Sequence, residues 1–185
     1  NDTFGNVNNS FVTFTVDSIN PTLTIVSPSN NTNTINSGLN INYSVSDTNL
    51  GSCWYGDNGG ANSTLASCAN ITSVTWGEGS HTVIVYANDT FGNINTSSIS
   101  FTVDSVNPGI TIVAPTNNSY SGENTLDVTY VATDINRDSC WYNDNGGANS
   151  TLAGCSNITS VTWGEGSHTV IVYANDTFGN SNSSS

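Results

Sequence analysis

Apolar and polar residues alternate with a period of two along most of the chain. Leu39, Ile41, Tyr43 and Val45 fall on one side of such a run, with Asn40, Asn42 and Ser44 on the other. This is the signature of a half-buried strand. Phe11 to Val16 (FVTFTV), Leu23 to Val26, Ile71 to Trp76 and Ile99 to Val103 read the same way. His81 to Ala87 (HTVIVYA) is the longest apolar run and predicts a central strand, with Val83, Val85 and Ala87 inward and Ile84 and Tyr86 outward. Cys53 to Cys68 predicts a hairpin whose turn, Asn58-Gly59-Gly60-Ala61-Asn62, takes its positive φ values from the glycines. No stretch sustains the 3.6-residue spacing of a helix. The expectation is all-β, about seven strands per unit, at the spacings of a β-sandwich.

The pattern repeats. Cys53–Cys68 returns as Cys140–Cys155, 87 residues later, and Trp76 returns as Trp163. Asn88 to Asn93 recurs one period earlier at Asn1 to Asn6 and one period later at Asn175 to Asn180. A period of this length is one small domain, so the chain reads as tandem beads, each folding on its own. Residues 1–16 are expected to be the last strand of a preceding repeat. Residues 17–103 form repeat 1, and residues 104–185 form repeat 2, which lacks its last strand. Either the chain is a window on a longer array, or its leading strand completes the open unit of another copy.

Asn, Ser and Thr dominate the composition; there is a single base, Arg137, against 14 acids, for a net charge of −13. A chain without a basic footprint is unsuited to phosphates, so no nucleic-acid partner is expected. No apolar run approaches the 18 residues of a membrane span. The four cysteines point to an oxidising compartment. They permit three pairings, and repeat symmetry selects Cys53–Cys68 and Cys140–Cys155. Sequons begin at Asn1, Asn8, Asn30, Asn42, Asn62, Asn70, Asn88, Asn95, Asn117, Asn149, Asn157, Asn175 and Asn182. An Asn/Ser/Thr-rich surface accounts for most of them by chance. N-linked glycans at some of them, and an extracellular or cell-surface location, are the expectation.

The Val-Asp-Ser-x-Asn-Pro opening, Cys-Trp-Tyr with Asp-Asn-Gly-Gly, Gly-Glu-Gly-Ser-His-Thr-Val and the Tyr-Ala-Asn-Asp-Thr-Phe-Gly-Asn close carry a resemblance. The unit resembles the immunoglobulin-like or fibronectin-III-like tandem repeats of archaeal and bacterial cell-surface proteins. It departs from the antibody type in its bridge, whose spacing implies a staple within one sheet. In such arrays acids at loop and linker positions bind Ca²⁺ and stiffen the junctions. The resemblance thus makes Asp2, Asp17, Asp89, Asp104 and Asp176 candidate Ca²⁺ ligands, with Asp47 and Asp134 behind them. The competing reading is that these residues cap loops through their own side chains. No cofactor beyond such Ca²⁺ is expected.

A catalytic site is hard to build from this sequence. His81 and His168 start equivalent strands with no nucleophile elbow beside them, and are expected to be partly exposed. The glycine-rich turns lack the Lys-Ser/Thr of a phosphate loop. In the hairpin, Trp54 is expected to point inward and Tyr55 outward. Tyr55, Ile84 and Tyr86, with Tyr142, Ile171 and Tyr173, are then candidate contacts for a neighbouring subunit or a sugar. The functional expectation is a non-enzymatic component of an extracellular filament, stalk or surface layer, its partners further copies of itself, with polymerisation by strand complementation among its forms. An adhesin or carbohydrate-binding surface module is the alternative.

Overall fold

The computed structural model describes residues 3–185, so the readings at Asn1 and Asp2 lie outside the described residues. Thirteen strands follow in chain order among them: β1 (Thr22–Ser27), β2 (Thr32–Thr34), β3 (Asn42–Ser46), β4 (Leu50–Asp57), β5 (Ser63–Leu65), β6 (Gly79–Asp89), β7 (Ile94–Val103), β8 (Gly109–Ala114), β9 (Thr129–Thr133), β10 (Arg137–Asp144), β11 (Ser150–Leu152), β12 (Val170–Asp176) and β13 (Ser181–Ser184). The fold is all-β, built of four sheets among the described residues. Each repeat pairs a small sheet, β1-β3 or β8-β9, with a larger one, β2-β7-β6-β4-β5 or β11-β10-β12-β13.

The chain divides into two compact units. One comprises Asn1–Pro28, Ile41–Ile71 and Thr82–Ile99; the other comprises Ser29–Asn40, Thr72–His81 and Ser100–Ser185. In the first, Leu23, Ile41, Tyr43, Cys53, Ile71, Val83, Val85, Ala87 and Ile99 are buried, so the period-2 faces read from Leu39–Val45 and His81–Ala87 are the core faces. In the second, Val128, Tyr130 and Ala132 pack with Cys140, Ile158, Val172 and Ala174, and Ile110 and Ile112 lean on them. The same unit holds an aromatic cluster. Phe101 meets Trp76 edge-on at 5.2 Å and stacks on His81 at 5.1 Å, and the Trp76 indole N–H donates to the Leu39 carbonyl at 2.7 Å.

Repeat 1 has the expected seven strands with one exchanged. Ile71–Trp76 makes a single bridge, Ile71 to Ile41, and the seventh strand is β2, whose Thr-Asn-Thr carries no apolar signal. β2 forms by parallel pairing to Phe101–Val103. Phe11–Val16, read as a strand, joins no ladder, and Phe11, Val12 and Phe14 are more than 80% exposed. Alternation specifies the faces of a strand, but a strand also needs an edge to pair with.

Both disulfides pair as symmetry selects, Cys53–Cys68 and Cys140–Cys155. The hairpin register differs from the one expected from a cross-strand bridge. Cys53 lies opposite Leu65 and Tyr55 opposite Ser63, while Cys68 closes a 3₁₀ turn after β5. The turn is tight: Asn58 and Gly59 both take positive φ, and the Gly60 N–H donates to the Asp57 carbonyl at 2.8 Å. An Asn-Gly pair at such a turn is the favoured hairpin chemistry.

Candidate cation site

The loop that follows β6 is organised by one carboxylate. Asp89, 2% exposed, accepts the Phe91 and Asn93 backbone N–H groups on Oδ1 at 2.9 and 2.8 Å, and the Asn93 side-chain amide on Oδ2 at 2.6 Å. Asn93 Nδ2 also donates to the Asp17 main-chain carbonyl at 3.1 Å, which ties the segment before β1 to this loop. Asn49 does the same for the loop after β3: its backbone N–H donates to Asp47 Oδ1 at 2.7 Å and its amide to Asp17 Oδ2 at 2.8 Å. The result gathers Asp17, Asp47 and Asp89 with carboxylate oxygens within 4.8 Å of one another.

The second repeat reproduces the arrangement with Asp104, Asp134 and Asp176. Asn180 donates to Asp176 Oδ2 at 2.7 Å and to the Asp104 carbonyl at 2.9 Å. Asn136 donates from its backbone to Asp134 Oδ1 at 2.6 Å and from its amide to Asp104 Oδ2 at 2.7 Å. Four of the five sequence candidates, Asp17, Asp89, Asp104 and Asp176, therefore meet in pairs, and Asp47 and Asp134 complete the sets. Their place was hard to read because the approach depends on the turn after β3. Three carboxylates are hard oxygen donors, the class Ca²⁺ takes, and neither cluster includes the thiolate or imidazole of a zinc site; the neighbouring Asn side chains turn their Nδ2 groups, not their oxygens, to the carboxylates. The Asx-turn reading also holds, since each Asp accepts local hydrogen bonds.

Burial pushes the Asp89 carboxyl up, but the hydrogen bonds from the Asn93 side chain and from the Asn93, Phe91 and Gly92 backbone outweigh it and hold it below the usual carboxylate range. Asp176 is lowered by the same balance, with Asn180, Gly179 and Phe178 as donors. A carboxylate depressed by folding contributes stability that is present above its unfolded pKa, near 3.9, and is lost as pH falls through its folded pKa. Thermal melts are therefore expected to collapse below about pH 4. Asp89→Asn with Asp176→Asn removes part of that acid dependence and lowers stability at neutral pH. An unchanged acid limb in the double variant would contradict this role.

The histidines differ between repeats. His81 is buried against Trp76 and Phe101, whereas His168 is more exposed. His168 places Nε2 on the Gly164 carbonyl at 2.8 Å and Nδ1 on Asp144 Oδ2 at 2.6 Å; both acceptors raise its pKa. The expectation of a partly exposed residue fits His168 and fails at His81, because the Phe101 ring covers it.

The hairpin faces are the reverse of those expected. Tyr55 lies opposite Val85 and Cys53 opposite Ala87, so the bridge and Tyr55 share the inner face. Trp54 lies opposite Tyr86 and stacks on it on the outer face, centroids 5.4 Å apart and planes 4° from parallel. Trp141 and Tyr173 repeat the stack at 5.5 Å, while Tyr142 turns inward to Trp163. Cys53 is fully buried, which fixes the parity. Of the outward candidates, Ile84, Tyr86, Ile171 and Tyr173 are half-buried on the outer side, and Tyr55 and Tyr142 are not on it.

Sequons separate by what their side chains hold. Asn42, Asn95, Asn175 and Asn182 donate their Nδ2 within the fold, and Asn70, Asn88 and Asn157 accept backbone N–H groups. Asn8, Asn30, Asn62, Asn117 and Asn149 are exposed, Asn30 accepting the Ser100 backbone N–H and Asn149 the Asn143 side-chain amide.

No protein-family model matches the chain, and no curated protein matches it. Among solved structures, the fibronectin(III)-like modules of Clostridium thermocellum CbhA are similar at 18% identity, covering 88% of this chain and 91% of that one with a TM-score of 0.41. No helix among the described residues is long and apolar enough to cross a membrane.

Proposed function

We propose that the chain is a structural, non-catalytic component of an extracellular filament, stalk or surface layer, built from stapled Ig-like beads. One observation carries this reading. The same bridge, the same stacked Trp–Tyr pair and the same three-carboxylate cluster stand in both repeats. Reproduction of these features suits an element that gains by repetition. The disulfides suit an oxidising, extracellular setting, and exposed sequons such as Asn62 and Asn149 on the hairpin loops are the positions for N-linked glycans.

The carboxylate clusters are read as Ca²⁺ sites. Asp17, Asp47 and Asp89 would hold one ion and Asp104, Asp134 and Asp176 another, which neutralises crowded negative charge and stiffens the segment entering each repeat. Calorimetry is expected to find two ions per chain. Melting temperature rises with Ca²⁺ and falls with chelator; an ion at a hundred times its dissociation constant adds about 2.7 kcal/mol. Identical melts with Ca²⁺ and with chelator would remove the ion from this account.

The second reading, an adhesin or carbohydrate-binding module, rests on the Trp54–Tyr86 and Trp141–Tyr173 stacks, flat aromatic surfaces on the outer face. A glycan array decides between the two. The structural reading expects no saturable binding, and binding abolished by Trp54→Ala with Trp141→Ala would favour the second.

A further inference from the structure

In both repeats the hairpin loop delivers a sequon to the Trp–Tyr stack. Asn62-Ser63-Thr64 leads into β5, where Thr64 lies directly opposite Trp54 and Ser63 opposite Tyr55. Residues two apart on a strand share a face, so Thr64, Trp54 and Gly56 all belong to the outer face. Asn62 Oδ1 lies 2.8 Å from the point a Cβ on Gly56 would occupy, which sets the Asn62 side chain over Gly56 on that same face. Gly56 follows Trp54 by two residues, about 7 Å along the strand.

Repeat 2 reaches the same arrangement by a different contact. Thr151 of Asn149-Ser150-Thr151 lies opposite Trp141. Asn143 stands where repeat 1 has Gly56, and its amide donates to Asn149 Oδ1 at 3.2 Å and to the Tyr173 hydroxyl at 3.3 Å. Tyr173 is the ring stacked on Trp141. One side chain therefore links the second sequon to its stack.

Both asparagines keep the reactive atom available. Asn42, Asn95, Asn175 and Asn182 spend Nδ2 within the fold. Asn62 and Asn149 are exposed, and their contacts here are made by Oδ1, which leaves Nδ2 to solvent. Each indole is stacked on its tyrosine by one face. Since β4 lies between β6 and β5, the other face of Trp54 turns toward β5 and its sequon; Trp141, on β10 between β12 and β11, does the same. A flat aromatic face suits the C–H face of a pyranose, because their contact takes apolar surface from both out of water.

We propose that the first sugar of an N-linked glycan on Asn62 packs on the free face of Trp54, and that its counterpart on Asn149 packs on Trp141. This rests on the glycosylated structural reading above and gives each stack an occupant from its own chain. In the attachment step Asn Nδ2 attacks C1 of a sugar carried on a lipid diphosphate. The N–C1 bond forms, the C1–O bond breaks, the lipid diphosphate leaves with the electron pair, and the amide gives up one proton. That transfer belongs to the secretory machinery; this chain supplies the acceptor and the seat. The platforms are then covered, bead by bead, and closed to a foreign sugar.

The full chain secreted from a glycosylating eukaryotic host, its glycans trimmed to one N-acetylglucosamine, tests this. Peptide mass spectrometry is expected to find Asn62 and Asn149 occupied. Hydroxyl-radical footprinting then reads each tryptophan, with the buried Trp76 as internal reference. Trp54 and Trp141 oxidise more slowly with the sugar than without it. Asn62→Gln restores the Trp54 rate and leaves Trp141 protected, and Asn149→Gln does the reverse. In denaturant, Asn62→Gln lowers the folded-to-unfolded ratio of its repeat about 2–12-fold, on the scale of one aromatic contact. In a Trp54→Ala background the same change has no such effect, the signature of direct coupling. Occupied sites with unprotected tryptophans overturn the seating and leave a glycosylated array in place. Bare Asn62 and Asn149 in a chain that carries sugar at Asn8 or Asn117 overturn it too. A chain with no sugar at any sequon removes the glycans of the structural reading itself, and this inference with them.

Discussion

Trp76→Ala is expected to cost about 3–5 kcal/mol, the range for truncating a large core aromatic. The indole is 4% exposed, donates to the Leu39 carbonyl, and meets both Phe101 and His81. Its removal leaves a cavity, and strands a main-chain carbonyl. Trp163→Ala removes the same side chain and the same hydrogen bond, to Leu126 at 2.7 Å, but from a half-buried site. Its cost is therefore smaller. Denaturant unfolding of the two variants measures the difference. Equal losses would show that the aromatic cluster of repeat 1 has no role in stability.

Loss of a bridge is the second large effect. Each disulfide closes a 15-residue separation, worth about 3 kcal/mol when the unfolded chain is released from it. Cys53→Ala with Cys68→Ala is preferable to Ser, because Cys53 is fully buried and a hydroxyl there would want a partner. For a domain of this size the melting transition of that repeat falls by roughly 12–24 °C. The matching pair in repeat 2 does the same to the other transition, and reductant reproduces both. A shift of only a few degrees would mean that the hairpin is held by β4–β5 and β4–β6 pairing alone.

These effects show which parts of the molecule were legible in the sequence. Ile41 and Tyr43, and Val83, Val85 and Ala87, are buried as their alternation required, because a period of two leaves one face for the core. The pairing of the cysteines followed from repetition. The hairpin faces were misjudged by assigning Trp54 inward on size. Parity with the fully buried Cys53 would have placed Tyr55 inward and Trp54 on Tyr86. Thr32–Thr34 was illegible, since its ladder to β7 is made by backbone and a Thr-Asn-Thr carries no pattern. Phe11–Val16 shows the converse: its pattern is that of a strand, and pattern supplies no partner. In the acid clusters, Asp17 and Asp89 could be suspected from their loops. Asp47 joins them through the Asn49 bridge, a tertiary contact that spacing does not announce.

Electron microscopy of the 185-residue chain, concentrated in Ca²⁺ and then diluted, tests the structural reading most directly. The account predicts linear filaments whose length grows with concentration. Discrete single-chain particles at every concentration would contradict it.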